Sequence, residues 1–245
     1  MRMNAVLMLS VSDALKDIRE NPVIYAAIGV AGLVALVILG KLLYWLKRQW
    51  DLRRIASALG LDYHWYDRWQ TKDKCSSLPL FSHSSGGRIS AIVHGTKDGV
   101  DIKIFDFRRR PDRGLAKVFR WWTTVVLFEM SYDLPFFYLR KEKFSDKLVA
   151  LIGHNDIDDF SNSEFNKKFY VKSADKQFAH DLMTDEMIDF VMQRVEGEPI
   201  NIEVSRKVMA FHLDRTASVK KVQWLYELAT DFWDKTPEKA VSRAR

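Results

Sequence analysis

The residue types that carry catalysis or bind metals are few in this chain and widely spaced. His94 and His212 fall in predicted strands, which favours a structural role for both. The single cysteine, Cys75, excludes an internal disulfide and a cysteine-rich zinc site. A catalytic thiol would also need a histidine that only the fold can place. No pair of histidines has a metal-binding spacing such as HExxH. The histidines stand at positions 64, 83, 94, 154, 180 and 212.

Two polar turns have residue types that bind ions. Asp156 and Asp158 resemble the first two ligands of a calcium loop, but Phe160 stands at the fifth position. The glycine and the final glutamate that such a loop requires are also missing. Residues 84–87, Ser-Ser-Gly-Gly, could form a nest of backbone amides for an anion, although ordinary turn chemistry explains the same residues. We therefore predict neither a metal nor a cofactor.

Motifs of the common enzyme classes do not occur in the sequence. It contains no nucleophile elbow, phosphate-binding loop, dinucleotide fingerprint or kinase signature. This pattern predicts a protein without enzymatic activity. The alternative is a hydrolase-like enzyme whose site assembles only in three dimensions, which a deep pocket with convergent histidine, aspartate or cysteine would reveal.

A basic and aromatic segment, RRRPDRGLAKVFRWW, occupies residues 108–122. It is typical of a solvated hairpin loop, of a contact with anionic lipid headgroups, or of phosphate contact with aromatic stacking in a nucleic-acid binder. Tethering to a membrane would favour lipid over nucleic acid. The arginines predicted to contact an anionic surface are Arg108, Arg109, Arg110 and Arg113.

The distribution of charge also argues against a nucleic-acid partner. The chain has 245 residues and a net charge of +6. Residues 1–54 contain eight basic and four acidic side chains, a net +4, which leaves +2 for the other 191 residues. A nucleic-acid binder concentrates its positive charge on the folded domain, so we expect no such partner.

The longest apolar run is long enough to cross a bilayer. Residues 23–40 contain no charged side chain, and the run continues past Lys41 to Leu46. At about 1.5 Å per residue, it covers roughly 27 Å to Gly40 and roughly 36 Å to Leu46, against a hydrocarbon core of about 30 Å. A buried core helix rarely needs this length without a polar residue, and no signal-peptide cleavage site follows. We predict a stub at 1–21 and a transmembrane helix at 22–46.

Side chains at the end of this run suit a membrane interface, because aromatic and basic residues prefer headgroup depth. Five Lys or Arg residues follow Gly40 within fourteen positions, and three precede the span. The positive-inside rule therefore predicts a C-terminal domain in the cytoplasm and a location in the inner membrane. The predicted interface residues are Lys41, Trp45, Lys47, Arg48 and Trp50.

Helical and irregular segments are predicted directly after the span. A juxtamembrane helix is expected at 47–60, with Ile55, Ala58 and Leu59 on one face and Gly60 at its end. Residues 60–87 are predicted to form a mostly irregular connection into the folded domain.

Strand and helix signals follow in groups. Val100, Ile102 and Ile104 alternate with polar residues after a turn at 96–99, which predicts a hairpin. A second hairpin is expected around Ser205–Arg206. The remaining predicted strands are 121–130, 136–140 and 167–173, and the predicted helices begin at Ser145, Ser173, Thr184 and residue 216.

Antiparallel strand pairs with helices grouped after them are typical of an α+β fold rather than of alternating βαβ units. We therefore predict an N-terminal transmembrane helix followed by one cytoplasmic α+β domain, with an antiparallel sheet and packed helices, at 61–235. A polar tail is predicted at 236–245.

Several segments resemble a set of bacterial single-pass membrane proteins without an established activity. They are LPLFSHSSGGRISAIVHGTKDGVDIKIFDFR, VVLFEM, LPFFYLRKE and NSEFNKKFYVKSADKQFAHDLM, and the resemblance covers about residues 41–195. An acidic step before the last segment, residues 156–160, is one residue longer than in that family. The resemblance implies a membrane anchor and a single C-terminal domain, and it transfers no catalytic or cofactor-binding residue.

The expected function is that of a non-catalytic scaffold or interaction module at the cytoplasmic face of the membrane. The predicted partners are the lipid bilayer and other membrane proteins. Ala27, Ala31 and Ala35 form a small-residue face on the span, which would let a second copy of the chain approach closely.

Overall fold

The computed structural model describes residues 22–82, 87–97, 99–109, 121–142, 157–195 and 197–242. The chain divides into two compact units, residues 1–50 and 51–245. The predicted stub at 1–21, the predicted helix that begins at Ser145 and most of the basic segment lie outside the described residues.

The first helix, α1, runs from Pro22 to Leu59. The most apolar stretch of α1 has no buried residue, so its apolar side chains are exposed. In length and composition α1 is a helix that could cross a bilayer. The predicted long apolar helix is therefore confirmed, but the helices predicted separately at 22–46 and 47–60 form one continuous element.

The second unit begins on the last turns of α1. Leu52, Ile55 and Ala56 are buried there, a spacing of three and four residues that faces one side of a helix. Ala58, which was expected on this face, is exposed because it lies on another side of the helix. Gly60 ends α1 with a φ of +67°, a left-handed conformation that glycine adopts without steric cost.

Six antiparallel strands form the sheet of the second unit in the described residues. They are β1 (Asp62–His64), β2 (Arg88–Lys97), β3 (Val100–Arg109), β4 (Trp121–Lys141), β5 (Phe169–Ser173) and β6 (Ile200–Leu213). The first four strands pair in chain order, β5 pairs with the C-terminal part of β4, and β6 pairs with β4 along most of its length. The predicted antiparallel α+β architecture is confirmed.

The β2–β3 hairpin forms as predicted. Lys97 lies opposite Val100 and Arg88 lies opposite Arg108, with one register shift between Ile89 and Ile92. The turn that joins the strands contains Gly99, whose φ is +79°.

Two predictions about the later strands are wrong. The strands predicted at 121–130 and 136–140 are one strand, β4, of 21 residues. The hairpin predicted around Ser205–Arg206 is instead a bend within the continuous strand β6, which has 14 residues. The backbone does change direction at Arg206, which has a left-handed φ of +53°. However, β6 stays paired with β4 on both sides of this residue.

The bend affects β4 and β6 together. From Glu129 to Phe137, β4 advances eight residues while the paired part of β6 advances four, and such extra residues sharpen a strand bend. The side chains of Glu203 and His212, one on each side of the bend along β6, approach to 3.2 Å. Nine residues of straight strand would separate them by about 30 Å. The bend therefore creates a contact between two distant ends of one strand.

Side chains cap several of the helices that follow. Thr184 caps its helix as predicted. The preceding helix is capped by Asp175, whose carboxylate accepts the Phe178 N–H at 3.1 Å, so the start predicted at Ser173 is two residues early. The helices are α2 (Thr71–Lys74), α3 (Pro79–Ser82), α4 (Ser163–Lys168), α5 (Lys176–Leu182), α6 (Asp185–Arg194), α7 (Val219–Asp234) and α8 (Glu238–Ser242).

Residues predicted as a polar tail include the helix α8. Ala240 in this helix is buried, and the Lys239 ammonium lies 2.8 Å from the buried Asp181 carboxylate of α5. The end of the described chain is therefore packed onto the domain.

Both faces of the sheet are covered. One face packs against α5, α6 and α7 and carries the larger core, which includes Ile104, Phe128 and Phe211. The other face carries a second apolar cluster, with Phe105 and Phe107 of β3 among its members.

The alternation of Val100, Ile102 and Ile104 with polar residues indicates a strand with only one buried face. That inference is wrong for β3, because residues 69–82, within the connection predicted to be irregular, cover the other face.

Candidate functional site

The candidate site lies where residues 69–82, here named the cap segment, cover the second face of the sheet, here named the cap face. The cap segment contains α2 and α3, although the sequence predicts a mostly irregular connection there. Its buried side chains pack on Ile92, Phe105, Phe107, Val125 and Leu127 of the sheet. The buried apolar residues of the cap segment are Cys75, Leu78, Leu80 and Phe81.

A buried lysine lies among these apolar residues. Lys103 of β3 is 1% exposed, and its ammonium contacts the Glu129 carboxylate of β4. The same carboxylate lies 3.5 Å from the Lys74 ammonium of the cap segment. The Trp69 ring lies 5.7 Å from the Lys103 nitrogen. Glu129 therefore neutralises Lys103 and ties the cap segment to the sheet.

A second polar contact between sheet and cap segment involves the bend of β6. Glu203 and His212 are both buried, and Glu203 Oε1 lies 3.2 Å from His212 Nε2. The other carboxylate oxygen, Oε2, accepts the backbone N–H of Leu80 at 3.1 Å. His212 Nδ1 lies 4.0 Å from the Asp214 carboxylate. One carboxylate therefore holds the cap segment and an imidazole together.

Aromatic and polar side chains extend this face beyond Glu203. The Tyr138 hydroxyl donates to Asn201 Oδ1 at 3.2 Å. Burial, followed by the Glu203 carboxylate, raises the pKa of Tyr138 above its ordinary value, so the phenol stays neutral. The Arg140 guanidinium lies over the Tyr170 ring at 4.5 Å. These groups are suited to hydrogen bonding and stacking rather than to proton transfer near neutral pH.

The lone cysteine is protected by the same layer. Burial raises the pKa of the Cys75 thiol to about 12, and the Glu129 carboxylate adds to the rise. The thiolate is the reactive form of cysteine, so Cys75 is placed as a core residue rather than as a nucleophile.

We expect thiol-specific reagents to modify native Cys75 very slowly. At pH 8 its thiolate fraction is roughly a thousandfold below that of free cysteine. The Ser76→Cys variant, at an exposed neighbour, should react rapidly in the same assay. The pKa of Cys75 is higher in the folded than in the unfolded chain. The neutral thiol therefore contributes its full stabilisation of the folded state below about pH 8.5, and that contribution to the free energy of unfolding falls as the pH rises toward 12. Native Cys75 reacting as fast as the unfolded chain would contradict the burial.

The residues predicted at the membrane interface differ in exposure. Lys41, Trp45, Lys47 and Trp50 are exposed on α1, as contact with lipid headgroups requires, whereas Arg48 is buried. The guanidinium of Arg48 therefore has little surface to offer a headgroup.

The arginines predicted to contact an anionic surface are described only in part. Arg108 and Arg109 end β3 and are half-buried, and the Arg108 guanidinium lies 5.8 Å from the Trp122 ring centroid. Arg110 and Arg113 lie outside the described residues, so their contact with a surface stays a prediction.

The other candidate residues have structural neighbours. Half-buried His94 packs against the Trp69 ring at 4.5 Å, and burial lowers the pKa of its imidazole. In the acidic turn, Asp159 lies 2.6 Å from Lys176 and 3.3 Å from His180. Within the described ranges, no three His, Cys, Asp or Glu side chains are grouped in a way that could hold a metal ion. Asp156 and residues 84–86 lie outside those ranges.

The polar contacts of the cap face were missed in the sequence for identifiable reasons. Lys103 shares a strand face with Phe105 and Phe107, and that pairing was the available signal that both faces of β3 are buried. The hairpin predicted around Ser205–Arg206 places Glu203 and His212 on opposite arms, and it hides the bend that brings them together.

Comparison with known proteins gives a similarity of fold. No family model matches the chain, and no curated protein sequence matches it. Among solved structures, the chain is similar to the mycobacterial trehalose monomycolate transport factor A, TtfA, with a TM-score of 0.54 and 12% sequence identity. The similarity covers 76% of this chain and 92% of that chain. At this identity it extends to the fold alone: the chain shares an α+β architecture with a mycobacterial transport factor.

Proposed function

We propose that this chain is a membrane-anchored protein without catalytic activity of its own, whose second unit is a scaffold or interaction module at the cytoplasmic face of the inner membrane. The observation that carries the proposal is the exposed apolar stretch of α1, in which no residue of the most apolar window is buried. An apolar surface of this length in water would be strongly unfavourable. A bilayer removes that cost.

The charge pattern supports the proposed orientation. Basic residues are more frequent after the apolar run than before it, as the positive-inside rule requires for a cytoplasmic C-terminal domain. We further propose that the chain belongs with the bacterial single-pass membrane proteins that it resembles in sequence.

The name of the solved neighbour supports the class of role that we propose. That protein is called a transport factor. We propose a similar accessory role for this chain, in which the second unit binds other membrane proteins.

One observation favours an enzyme instead. Glu203 and His212 form a carboxylate–imidazole pair of the kind that general-base catalysis uses. However, both side chains are buried, and the carboxylate also accepts the Leu80 amide. These contacts support a structural role for the pair, which weakens the enzyme alternative.

Two arginines in the apolar stretch test the anchor. Each costs about 2.5 to 3.5 kcal/mol at the centre of a membrane helix, so we expect Leu33→Arg combined with Leu36→Arg to move the chain from the carbonate-washed membrane pellet to the soluble fraction. Leu33→Ala combined with Leu36→Ala is the matched control and should stay in the pellet. A wild-type chain that washes off with carbonate would refute the proposal.

Protease protection tests the orientation. Protease added outside spheroplasts should leave the second unit intact, and protease added to inside-out membrane vesicles should degrade it. The opposite pattern would place the second unit on the other side of the membrane.

A further inference from the structure

A short loop after β1 exposes two aromatic side chains. Trp65 is 70% exposed and Tyr66 is 48% exposed, and their rings meet edge to face with centroids 5.0 Å apart. Among the described residues of the second unit, the next most exposed large apolar side chain is Trp122, at 37%. Exposed apolar patches are found at protein-binding and membrane-binding surfaces.

This loop, residues 65–70, is held in a defined shape and is named here the aromatic loop. The Asp67 carboxylate accepts the Trp69 N–H at 3.2 Å and the Thr71 hydroxyl at 2.9 Å. Gln70 adopts a left-handed conformation with φ of +53°, which a non-glycine residue adopts at a cost that surrounding contacts must offset. Trp65 and Tyr66 are therefore exposed on a loop whose conformation is fixed by hydrogen bonds.

Arginines flank the exposed aromatics. The Arg53 guanidinium lies 5.0 Å from the Tyr63 ring centroid, and the Arg68 guanidinium lies 4.5 Å from the Trp69 ring centroid. Both arginines are exposed. A guanidinium stacked on a ring keeps N–H groups at its edge for a phosphate. Tryptophan, tyrosine and arginine together are the residues that prefer the headgroup region of a bilayer.

The course of the chain brings the loop back toward the start of the second unit. After Gly60, the Leu61 N–H donates to the Ala56 carbonyl at 2.8 Å, and Tyr63 then lies beside Arg53. β1 therefore runs back along the last turns of α1, toward the point where the chain enters the second unit.

The covalent tether favours lipid as the partner. Trp65 follows the end of the predicted span, at Leu46, by nineteen residues. Thirteen of these residues, 47–59, continue α1 and extend it by about 20 Å at 1.5 Å per residue, so the loop is covalently confined to the neighbourhood of the bilayer surface.

We propose that the aromatic loop is a second membrane contact, in which Trp65 and Tyr66 enter the headgroup region of an anionic bilayer and Arg53 and Arg68 bind lipid phosphates. The inference rests on the proposed membrane anchor. The contact uses residues other than the apolar stretch of α1 and the basic segment at 108–122.

Site-directed spin labelling of the full chain in anionic lipid nanodiscs tests the contact. Native Cys75 is buried and contributes little labelling. Nitroxides at Leu36→Cys, Tyr66→Cys and Ser131→Cys would report on the span, the aromatic loop and an exposed position of β4. We expect the ratio of oxygen to aqueous nickel accessibility to be highest at position 36, lowest at 131, and several-fold higher at 66 than at 131.

Two variants test which side chains are responsible. Trp65→Ser should lower the ratio at position 66 toward the value at 131. The pair Arg53→Gln and Arg68→Gln should lower it in anionic discs and have a smaller effect in neutral discs, because lipid charge contributes to the contact.

The outcomes separate the two proposals. A label at position 66 as water-accessible as the label at 131, with the label at 36 in lipid, would overturn the lipid contact and leave the anchor standing; the loop would then be a protein-binding surface. An unchanged ratio at 66 in Trp65→Ser would also overturn it. A water-accessible label at 36 would refute the anchor and the lipid contact together.

Discussion

Replacing Glu203 with alanine is expected to lower the free energy of unfolding of the second unit by roughly 2 to 6 kcal/mol, because two buried polar groups lose their hydrogen-bond partner. Glu203 is 2% exposed. Its Oε2 atom accepts the Leu80 amide and its Oε1 atom faces His212. The variant leaves a buried amide and a buried imidazole without this acceptor, and each carries a desolvation cost.

Denaturant unfolding of the full chain in detergent, followed by near-UV circular dichroism, measures this loss. Glu203→Gln retains an oxygen that can accept the Leu80 amide, so its loss should be smaller. Glu227→Ala changes an exposed glutamate of α7 and should stay within about 0.5 kcal/mol of wild type. An unfolding midpoint for Glu203→Ala equal to that of wild type would rule out Glu203 as the link between the bend of β6 and the cap segment.

The cap segment should also open locally in Glu203→Ala. With the Leu80 amide released, trypsin should reach Lys72 and Lys74 at denaturant concentrations that leave the rest of the second unit folded. Equal cleavage at these lysines in wild type and variant would place the stabilising effect elsewhere.

Removing the Glu129 side chain should lower the free energy of unfolding by a comparable amount, because its partner Lys103 is a buried cation. Lys103 is 1% exposed and depends on the Glu129 carboxylate for neutralisation. Glu129→Ala leaves a buried ammonium without its counter-ion, and we expect a loss of about 3 kcal/mol. Lys74 also loses its link to the sheet in this variant.

Replacing both partners should cost much less. The double variant Lys103→Met with Glu129→Leu fills a similar volume with apolar groups, and such replacements of buried ion pairs are often neutral or stabilising. Unfolding of wild type, Glu129→Ala and the double variant in one assay gives the comparison. A double variant less stable than Glu129→Ala would contradict the idea that the unpaired charge is the source of the loss.

The elements that sequence patterns predicted well are those specified by local interactions. The apolar stretch of α1 needs only length and the absence of charge. The β2–β3 hairpin follows from alternation in Val100, Ile102 and Ile104, with Gly99 in the turn. Thr184 is a good helix cap because its hydroxyl accepts an amide three residues along the same chain. Each signal lies within a few residues of the structure that it produces.

The elements that were predicted wrongly depend on distant parts of the chain. Ser205 and Arg206 have the composition of a turn, but whether the chain reverses or only bends there depends on β4, about seventy positions earlier, which pairs with both arms. The two strands predicted at 121–130 and 136–140 join for the same reason. Pairing between strands this far apart leaves no local pattern in either strand.

The amino-acid sequence by itself determined that the chain has one long apolar helix and an antiparallel α+β domain, because hydrophobic length and periodicity are local properties. Only the tertiary structure decided that Lys103 meets Glu129 and that Glu203 meets His212 beneath the cap segment. It also decided that Trp65 and Tyr66 stay exposed on the aromatic loop. Whether a polar side chain is buried and paired, or an aromatic side chain is left uncovered, depends on which distant segment packs over it, and that choice is made by the free energy of the whole fold.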